Sequence, residues 1–368
     1  FPEPKIVLFL TVDALRADVV QVHEYVRDLP GFTALRKSCA YFTRARTAAS
    51  STRPSLAAIF TGLYYSQLRF DGRRLDHRGP MLAELVAKAG IQTVSLPRLQ
   101  RLSAHAGVGR GFRTEIKKRF SASAVVDRVI DFVGAEQAMF LFAHFGEPHA
   151  PYEGKGSRFQ RYLQEVGRVD KQLLRLFDFL KESGAARHTL LIVTADHGEG
   201  FGEHGVYNHA HVIYEEVARV PLLLCGPGVA AREISEPVSL IDVAPTVLDA
   251  FDLPTPGMFM GQSLLGLAAG GAKRLERPIA FNAPGWEALY LPDGKKVMFN
   301  ALAKRTEVYD LEADPGELTN LVGTDDAAVR SAIETARLFF QQHRVAPSSA
   351  VSSADGAPPE GDELPIDE

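Results

Sequence analysis

Five short apolar runs punctuate the chain: residues 5–12 (KIVLFLTV), 91–96 (IQTVSL), 138–143 (AMFLFA), 189–194 (TLLIVT) and 220–225 (VPLLLC). Continuous apolar runs rich in β-forming residues predict strands buried on both faces. Between them the apolar positions take helical spacing, over residues 82–88, 122–133 and 159–183. The last is long and carries its charges on the opposite face. Buried strands alternating with amphipathic helices predict an α/β fold, a mostly parallel mixed sheet with helices on both faces.

Past about residue 275 the pattern changes. Residues 278–283, 288–291 and 296–302 read as short strands, with Pro292-Asp293-Gly294 as a hairpin turn and a helix over 326–343. The expected organisation is a catalytic α/β domain over 1–275 and a small C-terminal α+β subdomain over 276–346 packed on it. A Pro/Ser/Gly-rich acidic tail over 347–368 is expected to be disordered.

Composition narrows the function. Of 368 residues, 46% are hydrophobic, which supports a large core, and the net charge of −4 leaves no basic footprint for nucleic acid. Two cysteines, Cys39 and Cys225, lie far apart and offer neither a disulfide framework nor a Cys-type zinc site. No run of 18 uninterrupted apolar residues predicts a membrane span. The chain opens on Phe1 and reads as a processed piece, so membrane association is expected only through a segment missing from it. Oligomeric state is not legible.

In open α/β sheets the chemistry sits at the carboxyl ends of the strands. The first run ends in Thr11-Val12-Asp13, the third in His144, and the fourth in Ala195-Asp196-His197-Gly198. A lone Asp there reads as a helix cap; three strands ending this way read as a site. Asp196 and His197 can face one cation, and oxygen plus nitrogen ligands suit zinc or manganese better than calcium or magnesium. Asp13 supplies a third ligand. In Ser51–Gly62 (STRPSLAAIFTG), Pro-Ser can open a helix whose N-terminal amides favour an anion. Ser51 or Thr52 either caps that helix or, on a metal, acts as nucleophile; the segment alone leaves both open. Six of the eleven histidines fall in two strand-end loops. Of these, His144, His149, His209 and His211 are candidate substrate contacts, with His149 and His209 as proton donors. Glu147, Glu199 and Glu203 either join a second metal or tie down the loops.

Taken in order, seven segments resemble the sulfatase-like branch of the alkaline phosphatase superfamily: VDALRAD at 12–18, TRPSLAAIFTGLY at 52–64, GEPHAPY at 146–152, TADHGEGFGEHG at 194–205, YEEVARVPLLLCGPG at 214–228, LIDVAPTVLD at 240–249 and VYDLEADPGELTNLV at 308–322. The resemblance spans about residues 4–325. In sulfatases the nucleophile motif is Cys-x-Pro-Ser-Arg, with Thr-Gly nine and ten residues beyond the Cys. Counting back from Thr61-Gly62 puts that position at Thr52, with Pro54 and Ser55 in register. The resemblance therefore implies a single divalent metal on Asp13, Thr52, Asp196 and His197.

Five departures set this chain apart from true sulfatases. Thr52 stands for the Cys or Ser converted to formylglycine, and threonine cannot give that aldehyde hydrate. Leu56 replaces the motif arginine, Ala14 replaces a second Asp, and His197 replaces the usual Asn. The sulfatase lysine before the Tyr-Glu pair is also missing, and His209 lies close to its place. This set resembles the phosphodiesterase, phosphonate-ester hydrolase and phosphotransferase members. It implies hydrolysis or transfer of a small or polymeric anionic ester through a covalent intermediate on Thr52, without formylglycine. The competing expectations are a sulfuric ester hydrolase using Thr52 directly, and a degenerate anion-binding domain. The resemblance alone favours a periplasmic, extracytoplasmic or membrane-anchored setting. Residues 105–113 and 152–159 are the candidate leaving-group loops.

Overall fold

A computed structural model describes residues 4–344, apart from 73, 98–101, 117–119, 136, 210, 212 and 272–276. The expected tail over 347–368 and the expected boundary at 275/276 lie outside the described residues.

The labelled strands of the main sheet are β1 (Ile6–Val12), β2 (Ala40–Phe42), β3 (Gln92–Leu96), β4 (Thr114–Glu115), β5 (Met139–Phe145), β6 (Thr189–Ala195), β7 (Leu222–Cys225) and β8 (Arg232–Ile234). Their order across the sheet is β8-β2-β7-β6-β1-β5-β3-β4. From β6 to β4 all neighbours are parallel, while β7 runs antiparallel to both β6 and β2. All seven residues of β1, β5 and β6 are buried. A central parallel strand has no solvent face, which is why these runs carry no polar alternation.

Two sets of helices pack on this sheet. Pro30–Ser38 (α1) and Ala122–Gly134 (α4) contact the long Arg158–Glu182 (α5). Thr52–Thr61 (α2) contacts Leu82–Lys88 (α3) and Val243–Ala250 (α6). Phe60 of α2 meets Phe9 of β1 and Phe142 of β5 edge-on, with ring centroids 6.2 and 5.1 Å away. Fully burying such a side chain contributes roughly 1.5–3 kcal/mol. Three aromatic rings from three elements therefore fix α2, and the Thr52 at its start, against the central strands.

The C-terminal subdomain is an antiparallel meander, β9 (Ile279–Ala283), β10 (Trp286–Tyr290), β11 (Lys295–Asn300) and β12 (Arg305–Asp310), with helix α7 (Ala327–Gln342) packed on β11. Its fourth strand, β12, is absent from the sequence expectation. The subdomain shares an apolar cluster with the main domain, in which Val297, Val308 and Phe340 join Ala48, Ala58 and Ile241. The contact also reaches the segment that leads into the site. Asn282 exchanges backbone hydrogen bonds with Ala48 and Ser50, just ahead of Thr52.

Cys39 and Cys225 form a disulfide across 186 residues, a single bridge where the sequence leads one to expect no disulfide framework. The physical reason is the β2–β7 pairing. Ala40 lies opposite Leu224, so the residues just outside that pair are Cys39 and Cys225. Among the described residues no helix is long and apolar enough to cross a membrane.

Candidate active site

Strands β1 and β6 run parallel with Val12 opposite Ala195. The next residue of each, Asp13 and Asp196, therefore emerges side by side at the carboxyl end of the sheet. The chain turns sharply there. Ala14 takes the left-handed conformation (φ 58°), uncommon for a residue with a Cβ. That turn aims the Ala14 N–H at Asp196 Oδ1 (3.3 Å). It is held from outside by Tyr162 of α5, whose hydroxyl donates to Ala14 O and accepts from Arg16 N, both at 3.0 Å.

Asp196 Oδ1 also accepts from the His197 N–H (3.0 Å), while Asp196 Oδ2 is buried with no hydrogen-bond partner among the described residues. His197 Nδ1 lies 2.8 Å from Gly198 O. A carbonyl only accepts, so Nδ1 carries the proton and Nε2 presents a lone pair. That lone pair faces Asp13 Oδ1 (3.5 Å), Asp196 Oδ2 (3.6 Å) and Thr52 Oγ1 (3.3 Å). Burial lowers the proton affinity of His197; Asp196 opposes this and His209 adds to it, for a net shift downward. Asp13 is held well below the usual carboxylate range: burial alone would raise it, but His149, His144 and His197 together overcome that.

Thr52 is the first residue of α2. Ser51 occupies the N-cap position, yet its side chain makes no capping hydrogen bond. The helix is registered instead by Ser55, whose hydroxyl donates to Asp196 O and pairs with Thr47 Oγ1, both at 2.7 Å. Thr52 is 8% exposed, against 1% for Asp13 and none for Asp196 and His197, so its hydroxyl is the member of the set nearest solvent.

Gly198 allows this packing. A Cβ there would sit 2.1 Å from Glu216 O, where the Gly198 N–H bonds Val217 O. Glu199 follows, buried, accepting from Tyr152 Oη (2.6 Å) and lying 3.1 Å from His209 Nδ1. His209 stacks on His197 with ring centroids 4.2 Å apart and meets the edge of His149 at 5.3 Å. Burial opposes a charge on His209, but Glu199 overrides it and the net shift is upward. His149 and His209 are both half-buried at the outer side of the cluster.

The structure brings together Asp13, Thr52, Asp196, His197, His149 and His209. Of the other expected substrate contacts, His144 touches the cluster from its buried side. His144 is 1% exposed and sits between Thr11 Oγ1 (2.8 Å) and Asp13 Oδ2 (3.4 Å), behind the carboxylate. Strand register puts it there, since His144 pairs with Thr11 and not with the residue beyond β1. His211 is exposed. The acidic residues weighed for a second metal are otherwise engaged. Glu147 accepts from Ala122 N, and Glu203 pairs with Arg16 at 2.7 Å. Among the described residues, the group placed to hold a metal is Asp13, Asp196 and His197, with ligand atoms within 4.8 Å of one another. Of the two candidate leaving-group loops, residues 105–113 have Arg110 and Arg113 bound to the α3 region, while in 152–159 Tyr152 and Phe159 pack at the rim with Phe201. The sequence gives no role to Tyr162 or Gly198, and Ser55 stands out there only as the serine of the Pro-Ser pair.

Sequence comparison matches the Sulfatase family over residues 5–253. Arylsulfatase K of Bos taurus is 27% identical over 209 residues, covering 51% of this chain and 37% of the bovine protein. The chain thus aligns with little more than a third of that relative's length. Among solved structures, a 2-O GAG sulfatase superposes with a TM-score of 0.79 at 17% identity, covering 93% of each chain. The phosphonate monoester hydrolase of Agrobacterium radiobacter superposes with a TM-score of 0.77 at 20% identity, covering 92% of this chain and 96% of the other. At these identities the likeness is one of fold.

Proposed function

The chain belongs to the sulfatase family, and from that premise we propose that it is a metal-dependent hydrolase or transferase of phosphate- and sulfate-type esters, with Thr52 as nucleophile and phosphodiesters or phosphonate esters as preferred substrates. The observation that carries this reading is the position of Thr52. It is the first residue of a ten-residue helix whose N-cap position is taken by Ser51, and its hydroxyl lies 3.3 Å from His197 Nε2.

The residues fit a divalent cation. Two carboxylates and the His197 Nε2 lone pair converge, and one carboxylate oxygen, Asp196 Oδ2, accepts no hydrogen bond among the described residues. The mixed oxygen and nitrogen set favours zinc or manganese. When bound, the cation supplies positive charge that favours the ionised threonine hydroxyl and the charge developing on the ester.

The remaining chemistry is done by the chain. Thr52 Oγ, its proton released to water, attacks phosphorus in line and forms a Thr–O–P bond as the bond to the leaving oxygen breaks. His149 or His209 gives that oxygen a proton. The first-turn amides of α2 point at the negative group. Water, or an acceptor alcohol, then displaces Thr52 and restores its hydroxyl. His144 and Tyr162 position Asp13, and Glu199 holds His209 with Nε2 outward. Formylglycine chemistry has no starting residue at Thr52. Family membership also favours a second reading, direct sulfate-ester hydrolysis on Thr52, on polymeric or small anionic esters. A panel of aryl phosphodiester, phosphonate, phosphomonoester and sulfate esters with each metal separates them. Turnover of the sulfate ester above every phosphorus ester would replace the first reading with the second.

A further inference from the structure

A cleft of about 290 Å³ opens where the C-terminal subdomain meets the main domain, lined by Arg44, Arg46, Arg219, Glu215 and Glu312 among others. It sits on the same rim as the metal cluster. Arg219 bridges Arg46, and lies two residues past Val217, whose carbonyl receives the Gly198 N–H.

The arginines are not equally compensated. Arg46 is held by Glu215 through Nε and Nη2 (3.1 and 2.9 Å) and lies 4.2 Å over the Tyr290 ring. Arg44 Nη1 lies 3.5 Å from the exposed Glu312. Glu215 is shared with Lys296, 3.8 Å away. Arg219, half-buried, donates Nε and Nη2 to the single carbonyl of Thr43 (3.0 and 2.7 Å) and has no ion-pair partner among the described residues. Burial works most strongly against its charge. Glu215 offsets this in part, and Arg46 and Arg44 add to it. Three arginines thus line a cleft with two carboxylates; Arg46 is taken up by Glu215 and Tyr290, and Arg219, the least compensated, is fixed in place. Planar guanidinium forks match tetrahedral oxyanions in geometry and charge.

We propose that this cleft binds a sulfate- or phosphate-type oxyanion, at a site separate from the metal cluster. The ion is either free or one charged group of an anionic chain that also reaches the rim. The site does not depend on the proposed hydrolysis: an inactive protein that still binds here refutes the reaction and not the cleft.

The test is calorimetric titration of the full chain with inorganic sulfate, before and after chelator treatment, and with a sulfated disaccharide. Wild type is expected to bind sulfate with an affinity that chelation leaves within about twofold. Arg219→Gln is expected to weaken it at least about tenfold, the loss of a charge-assisted contact. Arg44→Gln, on an exposed pair, is expected to weaken it without affecting folding, and keeps the proposal testable if Arg219→Gln does not fold. A disaccharide that binds more tightly than sulfate, with the same arginine dependence, identifies a group on a chain; one that binds no better identifies the free ion. Sulfate binding that chelation abolishes, or that both arginine variants retain, overturns the proposal.

Discussion

Replacing Tyr162 with Phe removes one oxygen, 3.0 Å from both Ala14 O and Arg16 N, from a fully buried side chain. Two hydrogen bonds are lost, and a backbone carbonyl and N–H are left in an apolar setting. At roughly 1–2 kcal/mol for each group, the cost is about 2–4 kcal/mol. With an unfolding entropy near 0.7 kcal/mol/K for a chain of this size, the melting temperature should fall by about 3–6 °C. The consequence reaches the site, because this hydroxyl fixes the left-handed turn at Ala14 that follows Asp13. Substitutions that loosen the support of a ligand typically cost about 10–100-fold in metal affinity. Scanning calorimetry of the metal-free protein and a competitive zinc titration measure the two effects separately. A Tyr162→Phe protein with a melting temperature within about 1 °C of wild type and an unchanged metal midpoint would refute the claim that Tyr162 positions Asp13.

Other substitutions probe different parts of the account. Gly198→Ala places a Cβ 2.1 Å from Glu216 O, so it should cost more than about 2 kcal/mol in urea unfolding and reduce metal uptake. In the buried pair between Lys296 and Glu317 (2.7 Å), burial first, then the charge of Glu215, push the Glu317 carboxyl up to about 7. Between pH 4.5 and 7 the folded chain then binds more protons than the unfolded one, so this group's contribution to stability falls as pH rises. Urea melts at pH 5 and pH 7.5 should show that decline in wild type and a smaller one in Glu317→Gln; an unchanged slope counts against the assignment.

Much of this arrangement was legible because buried parallel strands leave a plain mark. Residues such as Val7, Leu191 and Phe142 have apolar neighbours on both faces, so β1, β5 and β6 appear as unbroken apolar runs. Their ends then locate Asp13, Asp196 and His197 without any knowledge of topology. What sequence could not give is which way a side chain turns and what crosses over it. His144 ends a strand like the others, but strand register directs it behind Asp13. The three-residue β2 is too short to show periodicity, so the Cys39–Cys225 bridge that it registers was invisible. Tyr162 lies in the second turn of an amphipathic helix, where its apolar ring looks like any other core position and its hydroxyl gives no signal. Helix chemistry does not tell Ser51 and Thr52 apart; the resemblance to the sulfatase motif, counted back from Thr61-Gly62, implies Thr52.

The central claim is that Thr52 Oγ carries the covalent intermediate. It is tested most directly by quenching the metal-loaded protein during turnover of bis-p-nitrophenyl phosphate and mapping the adduct by peptide mass spectrometry. Attack expels one p-nitrophenolate and leaves an aryl phosphoryl group on the threonine. The account predicts that mass on the peptide containing Thr52, and neither adduct nor turnover in Thr52→Ala. Turnover in Thr52→Ala within a few-fold of wild type, or an adduct on another residue, would contradict it.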